Sequence, residues 1–306
     1  MRKLPIRIDL DESFLKAEQR CEYLVSGKQK RIWAVQLDLL ANLLKVCKEY
    51  DIKIQVFAGT LLGAVRHDGF IPWDDDIDVA MDRPNFERLC SIGPTAFSYP
   101  YFFQTALTDK KHFFSEARLR NSLTTASVKG QESVGYNNGI YIDLFVLDGV
   151  TRNKILLLIQ NVFKCFLRKL LIVYNKHIDK KNRIRDNLLC LANPILHCCG
   201  YENLYRLYHK VLAMYTPMVS QVGLVTHTNS FMYKYAIGKD DLSRTISHKF
   251  ECIDVPICEN YDKVLRRMYG DYMAFPPVEK RGLWHNGEIE FDPDVPYKNK
   301  LNNDAK

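Results

Sequence analysis

The run Trp73-Asp74-Asp75-Asp76-Ile77-Asp78-Val79 places four aspartates within five positions, with apolar residues on either side and within it. This density of negative charge is unfavourable unless a positive group lies among the carboxylates. Side chains alternate along a strand, so we predict that Asp74, Asp76 and Asp78 share one face. Asp75 then points away, and the apolar residues face the core. Carboxylates two residues apart can bind a divalent cation such as Mg²⁺, whereas the simpler alternative is a solvated acidic loop.

A further aspartate, Asp143, lies in an otherwise apolar segment over 139–146, which we predict to be a strand. A buried carboxylate without a partner is costly, so we expect Asp143 to lie beside the same cation. The alternative is an acid that only caps the end of the strand, for which Asp148 is a candidate.

Upstream of the acidic run, Gly59-Thr60 follows a predicted strand and precedes a short helix. Glycine lets a phosphate approach the backbone, and the N–H groups at a helix N-terminus attract anions. Together with the acidic run this pair predicts a phosphate-binding turn followed by a metal site.

Hydrophobic periodicity predicts both helices and strands without a regular alternation of the two. The predicted class is therefore α+β or mixed α/β. The predicted helices cover 35–50, 61–66, 84–89 (with Asp82 as cap), 202–214 and 262–268, and the predicted strands cover 52–57, 76–81 and 139–146.

The formal net charge of +7 is modest and unevenly distributed. Residues 152–185 contain ten Lys or Arg and a single acid, Asp179, interleaved with apolar runs. No stretch reaches the ~18 uncharged apolar residues that a membrane span needs. Such a basic amphipathic segment either contacts an anionic membrane or partner, or is an ordinary helical subdomain with a solvated basic face.

Other features of the sequence restrict the class of protein. The nine cysteines show no zinc spacing, and the N-terminus lacks the pattern of a signal peptide, so we expect reduced thiols and a cytoplasmic protein, with the inner membrane face as a peripheral site. Nucleic-acid binding is not expected, because no basic-aromatic recognition motif is present.

The stretch 59–78, Gly-Thr-Leu-Leu-Gly-Ala-Val-Arg-His-Asp-Gly-Phe-Ile-Pro-Trp-Asp-Asp-Asp-Ile-Asp, closely resembles the signature of the LicD/fukutin family. The resemblance extends over about 30–292 and is thinnest across 150–230. It continues at 117–121, 139–148, 269–272, 276–281 and His285. The family favours two adjacent histidines where this chain has Trp284-His285.

The resemblance implies a nucleotidyltransferase-like mixed sheet flanked by helices, with a helical basic insertion. Five segments follow from it. They are an N-terminal extension (1–30), a catalytic core (31–150), the basic insertion (151–200), a C-terminal part completing the catalytic domain (201–292) and a flexible tail (293–306).

The resemblance also implies a chemistry: transfer of a phospho-alcohol such as phosphocholine from a CDP-alcohol to a glycan hydroxyl, with release of CMP. It assigns Mg²⁺ or Mn²⁺ to Asp76, Asp78 and Asp143, with Asp74 as a weaker ligand. Asp143 would also help to deprotonate the acceptor. The groups that it implies for the donor phosphates, with the last two less strongly indicated, are Gly59, Thr60, Arg66, His67, Arg118, Arg120, Arg281 and His285.

Several alternatives stay open at this point. The chain could transfer a nucleotidyl group from an NTP to a sugar or protein, or bind glycans or membranes without catalysis. His67 could be a general base or a structural histidine. If the alcohol is choline, its quaternary ammonium needs aromatic contacts, for which Tyr141 is a candidate because it shares a face with Asp143.

Overall fold

The computed structural model describes residues 3–109, 115–129, 135–174, 200–225, 236–282 and 288–298. Its helices are α1 (Gly27–Glu49), α2 (Ala58–His67), α3 (Arg83–Ala96), α4 (Lys154–Tyr174), α5 (Tyr201–Ala213) and α6 (Tyr261–Tyr269). Its strands are β1 (Glu18–Arg20), β2 (Tyr23–Val25), β3 (Gln55–Val56), β4 (Asp78–Asp82), β5 (Tyr101–Gln104), β6 (Ala117–Asn121), β7 (Thr125–Val128), β8 (Ile140–Gly149), β9 (Gln221–Gly223), β10 (Ile237–Gly238), β11 (Thr245–Phe250), β12 (Ile253–Cys258) and β13 (Ile289–Asp292). The mixture confirms the predicted α+β class.

Two compact units divide the chain. The larger comprises 1–104, 116–146 and 240–306, and the smaller comprises 105–115 and 147–239. Residues 201–239, which the sequence analysis assigns to the C-terminal part of the catalytic domain, fall in the smaller unit. The segment boundaries stay a prediction.

The larger unit is built on a sheet with the strand order β3-β4-β8-β6-β5. β6 is antiparallel to β8, with Arg118 opposite Asp143 and Arg120 opposite Tyr141. All ten residues of β8 are buried, as expected for a central strand. The short pairs β1–β2, β7–β13 and β11–β12 are separate antiparallel ladders.

Local sequence explains where several elements begin. The Ser26 hydroxyl accepts the Gln29 N–H at 3.2 Å and caps α1, so this helix begins well before the predicted start. Asp82 accepts the Asn85 N–H at 3.0 Å and caps α3, as predicted. A cap of this kind contributes about 1 kcal/mol.

The smaller unit packs α4 against α5 around its own apolar cluster. The members of that cluster include Leu167, Leu171, Tyr205, Tyr208 and Leu212. The last residues of β8 pair with β9 here, with Asp148 opposite Gly223. The fully buried Asp148 carboxylate accepts the Thr216 hydroxyl at 3.2 Å. No helix within the described ranges combines the length and apolar character needed to cross a bilayer.

Candidate active site

One face of α1 holds the loop that carries the aspartates. Gln29, Trp33 and Gln36 recur at helical spacing, so their side chains lie on the same side of the helix. The Trp33 indole donates to the Asp74 carbonyl at 3.0 Å, as does the Gln29 amide at 3.2 Å, and the Gln36 amide donates to the Asp75 carbonyl at 2.7 Å. The loop backbone is therefore fixed from outside, although it forms no strand itself.

Three carboxylates of this loop converge. One oxygen each from Asp74, Asp75 and Asp76 lies within 4.8 Å of the others, a spacing that could hold a metal ion. The predicted orientation of Asp75, away from the other two, is wrong. The prediction fails for a local reason. β4 begins only at Asp78, so the alternation of side chains along a strand does not apply to 74–77.

The pKa values of two acids show how closely the carboxylates approach. Burial, together with the charges of Asp78 and Asp75, raises the pKa of Asp74 to about 7. Burial, together with the charges of Asp76 and Asp143, raises the pKa of Asp78 well above its usual range. The five carboxylates therefore repel one another in the protein alone, and a divalent cation bound among them would relieve that repulsion.

Gly59 and Thr60 lie directly against this acidic cluster. A Cβ on Gly59 would stand 2.8 Å from Oδ2 of Asp74, so only glycine fits without displacing that carboxylate. The Thr60 hydroxyl accepts the N–H of Asp78 at 2.8 Å. Ala58 begins α2 with a φ of +47°, an unfavourable conformation for a non-glycine residue, of the kind found at functional sites. The N-cap residue Phe57 makes no side-chain hydrogen bond to this helix, and the N–H groups at a helix N-terminus attract anions.

Asp143 is held by Arg118, its partner across the β6–β8 ladder. Nε of Arg118 donates to Oδ1 of Asp143 at 2.6 Å, and both side chains are nearly fully buried. Burial opposes the charge on Arg118, but Asp143 and Tyr141 outweigh it and raise the arginine pKa. This ion pair accounts for the burial of Asp143 even without a cation. Asp143 nevertheless lies at the acidic cluster, because its charge contributes to the raised pKa of Asp78.

The guanidinium groups of Arg118 and Arg120 lie over the Tyr141 ring, at 4.1 Å and 4.5 Å from its centroid. Arg120 also donates to the Gly139 carbonyl at 2.6 Å and is 1% exposed. Burial and Arg118 lower its pKa to about 10. Both arginines are therefore engaged within the protein, which disfavours the phosphate-binding role predicted for them. The two cations also cover Tyr141, so it does not provide the aromatic contact suggested for choline.

Arg66 and His67 end α2 and interact with each other. Nε of Arg66 donates to Nε2 of His67 at 3.0 Å, and its Nη1 donates to the Tyr272 carbonyl at 2.8 Å. Burial and the charges of Arg66 and Arg20 lower the pKa of His67 to about 4. His67 is thus neutral at physiological pH and a weak base, which favours a structural role over general-base catalysis.

Aromatic rings pack around Arg66 and His67. Phe275 stacks on His67 with a centroid distance of 5.7 Å, and Trp73 meets Phe275 edge-on at 6.1 Å. The Arg281 guanidinium lies 5.0 Å from the Trp73 ring and 5.5 Å from Phe275, so the predicted C-terminal arginine does reach the loop before the acidic run. The remaining predicted site residue, His285, lies outside the described residues.

Tyr269 at the end of α6 was not predicted from the sequence. Burial of its hydroxyl and the charges of Asp78, Asp74 and Asp76 raise its pKa. The residue as a whole is 44% exposed, so it is accessible to solvent while its hydroxyl is influenced by the charges of the acidic cluster. It lies almost 200 positions from the acidic run, and only the match of 269–272 to the family pattern indicated this region.

Comparison with known proteins agrees with this geometry. Residues 52–157 match the family model described as LicD/FKTN/FKRP, nucleotidyltransferase domain. The chain is 26% identical over 254 residues to the lipopolysaccharide cholinephosphotransferase LicD of Haemophilus influenzae, covering 82% of this chain and 93% of that protein. It is also 41% identical over 81 residues to the uncharacterized protein RP689 of Rickettsia prowazekii, covering 26% of this chain and 29% of that protein.

Proposed function

The chain is a member of the LicD family through its residues 52–157, and from this premise we propose that it transfers phosphocholine, or a closely related phospho-alcohol, from a CDP-alcohol to a glycan hydroxyl. The reaction releases CMP. The acceptor is a cell-surface glycan or its lipid-linked precursor, with lipopolysaccharide as the first candidate because it is the acceptor named for the Haemophilus relative.

The observation that supports this function is the contact between Gly59 and the Asp74 carboxylate, which joins a helix N-terminus to the acidic cluster. Phosphoryl transfer requires mainly positioning and neutralisation of charge. A site that binds phosphate oxygens on backbone N–H groups and a cation on adjacent carboxylates meets both requirements.

Mg²⁺ or Mn²⁺ is the proposed cofactor. The ligands would be Asp76 and Asp78, with Asp143 and Asp74 nearby, and the close approach of Asp75 makes it a further candidate. A bound divalent cation would neutralise the donor diphosphate and the charge that develops on the leaving CMP.

The remaining roles fall to side chains of the chain itself. Thr60 fixes the backbone of Asp78, and the cluster around Arg66 and Arg281 supplies positive charge near the loop. The contact with Arg118 fixes the position of the Asp143 carboxylate, which would accept the proton from the acceptor hydroxyl.

The donor alcohol requires an aromatic surface if it is choline. Tyr269 is the proposed contact, because it is half exposed and its pKa is raised by the nearby charges of Asp78, Asp74 and Asp76. A cation over a tyrosine ring gains roughly 0.5–2 kcal/mol, which is enough to select a quaternary ammonium over a polyol.

The test is incubation of the full chain with Mg²⁺, lipopolysaccharide and a panel of CDP-choline, CDP-ethanolamine, CDP-glycerol and CDP-ribitol. Mass spectrometry should detect CMP and a phospho-alcohol on the acceptor. Asp76→Asn should abolish CMP release, whereas the matched control Asp254→Asn, an exposed acid on β12, should not. Pyrophosphate release from an NTP in place of CMP release would replace this proposal with nucleotidyl transfer.

A further inference from the structure

Helix α4 presents an unusual exposed surface in the smaller unit. Six large apolar side chains on it are between 40% and 69% exposed. They are Ile155, Leu158, Ile159, Val162, Phe163 and Phe166, which we call the α4 stripe. Their spacing of three and four residues places them on one side of the helix, over about three turns. A contiguous apolar surface of this kind usually marks a contact with a partner or a membrane.

The orientation of the stripe is fixed by the opposite face of the helix. The Gln160 amide donates to the Val211 and Leu212 carbonyls at 3.0 Å each, and Nζ of Lys164 donates to the Val225 carbonyl at 3.1 Å. Together with the buried Leu167 and Leu171, these contacts anchor α4 on α5. The helix therefore cannot rotate to bury the stripe without breaking buried hydrogen bonds.

The charges around the stripe indicate its occupant. Residues 152–174 contain no acidic residue. Lys154, Arg168 and Lys169 are exposed, and none of the three has a carboxylate partner within the part of the chain that the structure describes. At 100° per residue, Lys154 falls beside the stripe near its N-terminal end and Lys169 in line with the stripe at its C-terminal end, whereas Arg168 points largely away from it. A second copy of this helix would bring only like charges to such a contact.

We propose that α4 lies on an anionic lipid surface, with the α4 stripe inserted at the boundary of the acyl chains and with Lys154 and Lys169 at the headgroups. Amphipathic helices of this composition bind in the plane of the interface rather than across it. Lysine and arginine there gain from the negative surface potential of the lipid. The surface lies in the smaller unit and requires no knowledge of the donor, so the proposal is independent of the proposed function.

The test measures sedimentation of the full chain with lipid vesicles. One set of vesicles contains phosphatidylcholine alone, and the other also contains about one third phosphatidylglycerol, to resemble an anionic membrane. We expect binding at least about tenfold stronger to the anionic vesicles, weakened by salt. Phe163→Gln/Phe166→Gln should reduce it about tenfold or more, and Lys154→Gln/Lys169→Gln should remove most of the preference for anionic lipid. The matched control Leu24→Gln/Ile246→Gln changes exposed apolar residues outside α4 and should bind like the unaltered chain.

A second measurement covers the case in which the double variants fold poorly. Phe163→Trp keeps an aromatic side chain, and its fluorescence should shift to the blue and be quenched by brominated lipids when vesicles are added. An unshifted spectrum, equal binding after the Phe163/Phe166 change, or a lipid-free dimer dispersed by that change would each overturn the proposal.

Discussion

The Cα of Gly59 lies so close to Asp74 that an added Cβ would stand 2.8 Å from Oδ2 of the Asp74 carboxylate. This contact joins the phosphate-binding turn to the acidic cluster. We therefore expect Gly59→Ala to displace the carboxylate and reduce kcat by about 10- to 100-fold, since small errors of position are costly in group transfer. CMP release measures the loss, and Gly282→Ala, at a glycine with open space around it, should retain activity. Equal activity of both variants would contradict the contact.

Asp78→Asn should separate stability from activity. The pKa of Asp78 is raised by burial, Asp76 and Asp143, so the ionised side chain destabilises the metal-free protein. We expect the neutral amide to raise the free energy of unfolding at pH 8 while abolishing turnover. Urea unfolding and CMP release measure the two effects. A variant that is less stable than the parent without metal would remove the electrostatic argument.

The contribution of Asp74 should make the metal-free protein more stable as the pH falls from 8 to 5.5, whereas His67, with a folded pKa of about 4, acts in the opposite direction below about pH 6.5 in parent and variant alike. The folded pKa of Asp74 is about 7, above the value of about 3.9 for an unfolded aspartate. At Asp74 the folded state therefore binds more protons in this interval, so the contribution of this residue to stability decreases as the pH rises. Thermal unfolding of Asp74→Asn at both pH values should show a smaller difference than the parent, and saturating Mg²⁺ should also reduce the difference. An identical pH dependence in parent and variant would exclude Asp74 as the cause.

Arg118→Met should destabilise the larger unit by about 3–5 kcal/mol, because it leaves Asp143 buried and unpaired. The double variant Arg118→Met/Asp143→Leu removes both charges and should recover most of the loss, although it is inactive. Chemical denaturation of the parent, of Arg118→Met, of Asp143→Leu and of the double variant measures the coupling between the two residues. Additive effects would show that the ion pair is not what stabilises this part of the sheet.

Tyr269→Ala should raise KM for CDP-choline by about tenfold with a smaller effect on kcat, because the contact proposed for this ring is with the donor and not the acceptor. Tyr269→Phe keeps the aromatic face and should remain within about threefold of the parent. Tyr50→Ala provides a control at another half-exposed tyrosine. A loss of similar size in the Phe variant would assign the effect to the hydroxyl instead.

The sequence was sufficient to predict features that depend on short-range patterns. The apolar segment around Asp143 predicted β8, and Asp82 before Pro84 predicted the start of α3. These features follow from periodicity and capping, which act over a few residues.

Features that depend on distant neighbours were not predictable in the same way. The hydrogen bonds from α1 that hold the acidic run as a loop come from residues about 40 positions away, and they reversed the orientation expected for Asp75. The burial of Arg120 depends on Gly139 and Tyr141 across the sheet. Tyr269 reaches the acidic cluster only through the placement of α6.

The cross-strand contacts of β6 and β8 also bear on how the chain selects its strand pairing. In the observed register Arg118 faces Asp143 and Arg120 faces Tyr141. A slip of one residue would turn every side chain of one strand to the opposite face. Such a slip would separate the Asp143 carboxylate from the Arg118 guanidinium. It would also remove Arg118 and Arg120 from their buried positions. The charged groups of the site therefore help to specify the register of the sheet. A mispaired β6 carries an electrostatic penalty that apolar strands alone would not impose.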